Sequence, residues 1–103
     1  MSQTQHLGRT ATCVHTEDGV TRVRYHATDV VAFDVDRVTL DSGGWRTATT
    51  KLRMNQAANQ FGLRYIVFQK DFEWFVARPT AAGWTANIWK EALPFHDGMT
   101  FTR

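Results

Sequence analysis

The 103-residue sequence is poor in cysteine and proline, with a single cysteine, Cys13, and only two prolines. One cysteine excludes an intramolecular disulfide framework and fits a reducing compartment. No apolar run approaches the roughly 20 residues that a membrane-spanning helix needs, so we expect no membrane partner. Aromatic residues are plentiful at 13 %, which is enough to build a packed core. The composition predicts one globular domain over residues 1–103, with a loose N-terminal arm over residues 1–8.

Acidic residues are missing from the middle of the chain. Residues 46–70 carry five basic side chains and no Asp or Glu. Four basic and six acidic residues precede this block, and three basic and four acidic residues follow it, so both flanks are mildly acidic. The overall net charge of +2 hides this segregation. A basic block of this length favours an anionic partner.

Hydrophobic periodicity indicates strands on both sides of one helix. Alternation over residues 20–26 predicts a half-exposed strand, and residues 29–33, 37–41 and 99–102 are typical of further strands. Residues 63–69 and 72–78 read as a hairpin, while the stretch 79–94 fits a short helix and a strand equally well.

The helix is predicted over residues 47–61. Its apolar stripe has the spacing i, i+3, i+4 and i+7 and consists of Met54, Ala57, Ala58 and Phe61. Thr47 is placed to cap the N-terminus, and Gly62 follows the last apolar position. The predicted fold class is therefore α+β, with a largely antiparallel sheet of about five or six strands and one main helix.

The start of this helix is the strongest candidate site. Helix N-termini favour acidic residues, but here Arg46 and Lys51 stand in their place, after a Ser42–Gly44 loop. Free N–H groups and nearby hydroxyls would suit an anion. That anion is either a phosphate of nucleic acid or of a nucleotide, or an internal carboxylate, such as Asp41 or an acid from the C-terminal third. Internal satisfaction is the commoner outcome at helix ends.

The side of the helix away from its apolar stripe is rich in amides and has no carboxylate. Asn and Gln can pair with adenine and Arg with guanine, although such side chains are also ordinary solvated residues. The candidate nucleic-acid-binding residues are Arg46, Thr47, Thr49, Thr50, Lys51, Arg53, Asn55, Gln56, Asn59 and Gln60.

A protein interface is the alternative use of this region. Trp45 lies beside two glycines, next to the loop predicted at Ser42–Gly44, and Leu52 falls nearly opposite the apolar stripe. If both were exposed, they would form an apolar spot suited to an interface core. A homodimer formed through a sheet edge or a helix face is a third possibility.

Signals for catalysis are weak. The four histidines show no Cys/His spacing typical of a zinc site, and Cys13 has no activating neighbour in sequence other than His15. The acids lie mostly in turns and are not expected to converge. We therefore expect no enzyme activity, no metal and no cofactor.

The most distinctive part of the chain is the stretch Ser42 to Gln60, which begins with the run SGGWRTATTKLRMNQ. Together with YHATDVVAFD before it and DFEWFV and DGMTF after it, it resembles small proteins of tailed bacteriophages and prophages that carry an SGGWRTxTTKxRMNQ-type run. The likeness covers about residues 23–78 and 95–101. It implies a phage product acting in the cytoplasm of the bacterial host, and it brings no catalytic residues with it.

These observations lead to one main prediction and one alternative. The main prediction is a non-enzymatic phage accessory protein that binds nucleic acid, either DNA or RNA, through a basic helix N-terminus. The alternative is a protein-binding modulator or inhibitor of a host enzyme or defence system.

Overall fold

The computed structural model describes residues 11–79 and 92–103. The predicted arm at residues 1–8, and most of the ambiguous 79–94 stretch, lie outside these residues. The described part contains eight strands and one helix: β1 Thr12–Glu17, β2 Val20–Tyr25, β3 Thr28–Phe33, β4 Arg37–Leu40, α1 Ala48–Phe61, β5 Ile66–Lys70, β6 Glu73–Ala77, β7 Leu93–Pro94 and β8 Met99–Thr102.

The strands form two sheets, in which every neighbouring pair is antiparallel. The larger sheet has the order β1-β2-β3-β4-β8, and the smaller one has the order β5-β6-β7. The α+β class is confirmed, but the eight described strands exceed the expected five or six. The strands not predicted from sequence are β1, which is exposed along most of its length, and β7, which is two residues long.

The predicted helix is confirmed with its caps. The Thr47 hydroxyl accepts a hydrogen bond from the Thr50 N–H at 3.2 Å. Gly62 ends α1 in the left-handed region at φ 65°, a conformation that glycine adopts without a steric penalty. Met54 and Ala57 are fully buried, and the half-buried Phe61 ring lies 5.0 Å from the Phe33 ring. The apolar stripe therefore packs against the larger sheet, as its spacing predicts.

The core lies between α1 and the inner faces of the sheets. Val23, Val38 and Leu40 are fully buried on the larger sheet. The smaller sheet is joined to α1 by Asn55, whose side chain accepts from the Val67 N–H at 2.8 Å and donates to the Val67 carbonyl at 2.9 Å. These two hydrogen bonds from the Asn55 side chain to the Val67 main chain fix β5 alongside the middle of α1.

Candidate functional site

The loop that leads into α1 is held by its own hydrogen bonds. The Gly43 N–H donates to Asp41 Oδ1 at 2.7 Å, the Gly44 N–H to Ser42 Oγ at 3.2 Å, and the Trp45 N–H to the Ser42 carbonyl at 3.0 Å. We call residues 41–46 the Trp45 loop. Because the Gly43, Gly44 and Trp45 N–H groups all find acceptors within the loop, the backbone sets the position of Trp45.

Gly43 fits the Trp45 loop against strand β3. Its φ of 63° lies in the left-handed region, and a Cβ at this position would overlap the Thr28 side chain. Gly44 also has a positive φ, of 85°, but nothing lies within 4 Å of where its Cβ would stand. Glycine is therefore required at Gly43 both for backbone conformation and for the close approach to Thr28.

An acid from the C-terminal third of the chain anchors the Trp45 loop. Asp97 Oδ1 accepts from the Ser42 N–H at 2.9 Å and from the Ser42 hydroxyl at 2.6 Å. Partial burial opposes ionisation of Asp97, but the two Ser42 bonds, together with the Arg46 charge and the Gly44 N–H, outweigh it and lower the pKa of this carboxyl. The internal carboxylate considered from the sequence is thus present, although it binds the loop rather than the first turn of α1.

Arg46 and Lys51 of the basic block lie over two neighbouring aromatic rings. The Arg46 guanidinium carbon is 5.0 Å from the centre of the Phe95 ring, and Lys51 Nζ is 5.9 Å from the Trp74 ring. The Phe95 and Trp74 rings are themselves 5.4 Å apart. Such cation–π contacts position a positive charge without neutralising it. We call these four side chains the cation–aromatic cluster.

Neither cation of this cluster has a carboxylate partner at ion-pair distance within residues 11–79 and 92–103. The ion pairs found there are His15–Glu17 and Arg24–Asp29. The first turn of α1 contains no acid. The Thr50 N–H donates to the Thr47 hydroxyl, and the Lys51 N–H donates to the Thr47 carbonyl. The N–H groups of Ala48 and Thr49 have no acceptor in the described part of the chain. This end of α1 is therefore positively charged, and it carries donors that an anion can use.

The side of α1 that was predicted to be an amide-rich solvent face is partly buried in the structure. Arg53 and Gln56 are only 8 % and 6 % exposed. Arg53 donates to Gln56 Oε1 at 2.9 Å and to Thr12 Oγ1 at 3.0 Å, and it lies 5.6 Å from the Tyr25 ring. The expectation of solvent exposure is wrong for these two residues because β1 and β2 cover the flank of α1 that carries them.

The other helix candidates divide into two groups. Thr50 is buried and Asn55 is half-buried, with the side-chain oxygen and nitrogen of Asn55 both bonded to Val67, so these two contribute to packing. Asn59 and Gln60 are exposed at the C-terminal end of α1, about two turns from Lys51. The structure therefore brings together Arg46, Thr47, Thr49 and Lys51, and separates them from the exposed amides.

The two residues proposed as a protein interface differ in exposure. Trp45 is 71 % exposed, whereas Leu52 is half-buried in a shallow depression on α1. The apolar spot that requires both side chains at the surface is thus reduced to Trp45.

A pocket next to Trp45 was not foreseen from the sequence. It has a volume of about 330 Å³ and lies where the β2–β3 turn meets the Trp45 loop and the first turn of α1. Its lining residues are Tyr25, His26, Ala27, Thr28, Val30, Ser42, Trp45 and Thr50. We call it the Trp45 pocket. Its walls come from segments about 20 residues apart, so no local pattern signals it.

A second exposed aromatic residue lies elsewhere on the surface. Phe72 forms the tip of the β5–β6 hairpin and is 96 % exposed. Asp71 and Phe72 both have positive φ, of 53° and 68°, which corresponds to a type I′ turn. Side chains other than Gly, Asn and Asp are uncommon in this conformation.

No metal site or membrane span is found in the part of the chain that the structure describes. No three His, Cys, Asp or Glu side chains are grouped closely enough there to hold a metal ion. Its helix is too short and too polar to cross a bilayer.

The fold and this surface define a small α+β protein with a basic helix end beside aromatic rings. The model of the family Kyanoviridae Gp96 protein matches residues 1–102. The chain therefore belongs to this family of phage proteins, which agrees with the phage resemblance of its sequence. No curated protein and no solved structure matches the chain.

Proposed function

We propose that this phage accessory protein is non-enzymatic and binds nucleic acid through the N-terminal end of α1. The observation that carries the proposal is the cation–aromatic cluster, in which Arg46 and Lys51 are held over rings without a carboxylate partner in the described residues. A cation positioned in this way keeps its charge and its donors for an external phosphate.

Neighbouring groups add to this preference for an anion. The Ala48 and Thr49 N–H groups lie at the positive end of the helix dipole, close in sequence to both cations. Asp97, whose pKa the Arg46 charge helps to lower, already accepts two hydrogen bonds from Ser42. Asp97 therefore anchors the Trp45 loop, and the guanidinium donors of Arg46 remain available for an external anion.

The packing of α1 favours phosphate contacts over reading of base edges in a duplex groove. Base readout by a helix requires it to protrude into the major groove. Here α1 packs on the larger sheet through its apolar stripe and on β5 through Asn55. Arg53 and Gln56 are buried and bonded to each other, so the proposed contacts reduce to Arg46, Lys51, Thr47 and Thr49.

Salt titration of binding tests the proposal. Labelled duplex DNA, single-stranded DNA and single-stranded RNA are each titrated with the protein at several salt concentrations, and binding is read by fluorescence anisotropy. Two phosphate contacts predict a slope of log K against log salt of about −1.4 for a single strand and about −1.8 for a duplex. Lys51→Gln should reduce the magnitude of the slope by about 0.7 to 0.9.

The matched control is Arg37→Gln, which removes one positive charge from the outer face of the larger sheet. It should leave the slope unchanged, because Arg37 lies outside the cation–aromatic cluster. Absence of salt-dependent binding to all three nucleic acids at micromolar protein would overturn the proposal. An equal effect of Arg37→Gln and Lys51→Gln would show that attraction is diffuse and would remove the helix end as the site.

One observation favours the alternative function, a protein-binding modulator or inhibitor of a host enzyme or defence system. Trp45 is exposed in a well-bonded loop, and rigid exposed Trp side chains are frequent anchors in interfaces. A pull-down from host lysate with and without nuclease separates the two functions. A protein retained after nuclease treatment, and lost with Trp45→Ala, would support this alternative.

A further inference from the structure

We propose that the Trp45 pocket receives one unpaired base of a single-stranded nucleic acid. This inference rests on the proposed function and specifies its ligand. The residues that carry it are the ring-bearing walls of the pocket, the fixed loop that supplies Trp45, and the cation that follows Trp45 in the chain.

The pocket offers the surfaces that a base needs. Rings from Tyr25, His26 and Trp45 line it, and the Tyr25 and His26 ring centres are 4.4 Å apart. Aromatic walls stack on any base, because every base has a π-face. Its volume of about 330 Å³ is at the lower end of the range for small-molecule sites, which suits one base and not a base pair within a duplex.

The walls are held in place from behind. Arg53 lies 5.6 Å from the Tyr25 ring and is itself fixed by Thr12 and Gln56. On the opposite wall, Trp45 is positioned by the bonds of its loop and by the close approach of Gly43 to β3. A preformed site loses less conformational entropy when a ligand binds.

The pocket is also next to the positive charge that a nucleotide requires. Ser42 lines the pocket and bonds Asp97, and Arg46 lies close enough to Asp97 to lower the pKa of that carboxyl. Because Arg46 directly follows Trp45, a base stacked on Trp45 would have its phosphate near the guanidinium. A base inside a duplex is already stacked and cannot enter such a pocket, so the expected ligand is a single strand.

A pair of matched probes isolates the contribution of the base. One is a short labelled oligodeoxythymidine, and the other has the same length and phosphates but abasic sugars throughout. We expect the wild-type protein to bind the thymidine oligomer at least about ten times more tightly than the abasic one. Trp45→Ala should abolish this difference and leave the salt dependence with the abasic probe unchanged.

Phe72→Ala is the control, because it removes an aromatic ring that is even more exposed than Trp45 and lies outside the pocket. It should leave the preference for the thymidine oligomer intact. Thermal unfolding of both variants by circular dichroism checks that they fold, and neither side chain belongs to the buried core.

Each contrary outcome has a distinct meaning. Equal, salt-dependent binding of the two probes would overturn the base pocket and leave the proposed function standing. Equal losses with Trp45→Ala and Phe72→Ala would also overturn it, since stacking would then not depend on this pocket. Binding of neither probe nor of duplex DNA would remove the proposed function and this inference together. Protein capture through Trp45, with no preference between the probes, would assign the pocket to a protein partner and overturn the proposal.

Discussion

The two most exposed aromatic rings of the described chain are held in opposite ways. Trp45 is carried by a loop whose positive φ angles fall on Gly43 and Gly44, and the N–H groups of these two glycines are bonded within the loop. Phe72 itself has a positive φ, at the tip of a hairpin, beside Asp71 and Glu73. A pocket and a cation adjoin Trp45, whereas acids flank Phe72.

This contrast shows that exposure alone does not make an aromatic residue a binding site. At Trp45 the conformational demand is met by glycines, so the backbone holds the ring at little steric cost. At the hairpin tip the positive φ falls on the bulky residue Phe72, and this conformation costs about 1 kcal/mol or more. The surroundings decide which of the two rings is proposed as a binding site. Of the two, only Trp45 lines a pocket with fixed walls and lies beside a cation that has no carboxylate at ion-pair distance in the described residues.

The largest expected effect concerns the glycines of the Trp45 loop. Gly43→Ala should lower the free energy of unfolding by about 2 to 4 kcal/mol, because the methyl group adds overlap with Thr28 to the cost of a positive φ. Gly44→Ala is the matched control and should cost only about 1 to 2 kcal/mol, since its Cβ would point into open space. Urea unfolding measures both, and equal losses would refute the close approach of the loop to β3.

The anchor of the Trp45 loop predicts a dependence on pH. The pKa of Asp97 is lowered in the folded protein, so its contribution is present above the ordinary Asp pKa and is lost as the pH falls through the folded value. Asp97→Asn should lower the free energy of unfolding by about 1 kcal/mol at neutral pH. The difference between wild type and variant should shrink below about pH 4.

Urea midpoints of the two proteins across this range provide the measurement. Asp34 also has a lowered pKa, owing to the backbone N–H groups of Asp36 and Arg37. Its titration occurs in both proteins and cancels in the difference. A difference that stays constant down to strong acid would contradict the role of ionised Asp97 as the loop anchor.

Local sequence patterns were sufficient for the helix and several strands. The apolar spacing and caps of α1 depend on neighbours in sequence, and both were predicted correctly. The last strand, Met99–Thr102, was also predicted with its observed bounds. Strand β1 was missed because it is an edge strand whose Cys13, His15 and Glu17 side chains lie in solvent, so it shows little alternation of buried and exposed residues.

The candidate site was predictable only in part. Arg46 and Lys51 lie close in sequence to the predicted N-cap Thr47, so their position at the start of α1 followed directly. Strands β1 and β2 cover one flank of α1, and the sequence of the helix does not show which flank this is. The prediction that Arg53 and Gln56 lie in solvent was wrong for that reason. The Trp45 pocket depends on the same long-range packing, since its walls join the β2–β3 turn to a loop about 20 residues later.

The smallest expected effect has the opposite sign and concerns the other exposed ring. Phe72→Gly should raise the free energy of unfolding by about 0.5 to 1 kcal/mol, because Asp-Gly is a favoured sequence for a type I′ turn and Asp-Phe is not.

Phe68→Gly is not a suitable control for this prediction, since the Phe68 ring stacks on Phe75 within the hairpin. The better control is Lys70→Gly, which places glycine at the end of β5 and should destabilise the protein by a similar amount. Urea unfolding distinguishes the two signs. If Phe72→Gly lowers stability instead, the ring has a favourable contact in the folded protein, and the contrast between a strained hairpin tip and a relaxed Trp45 loop would have to be abandoned.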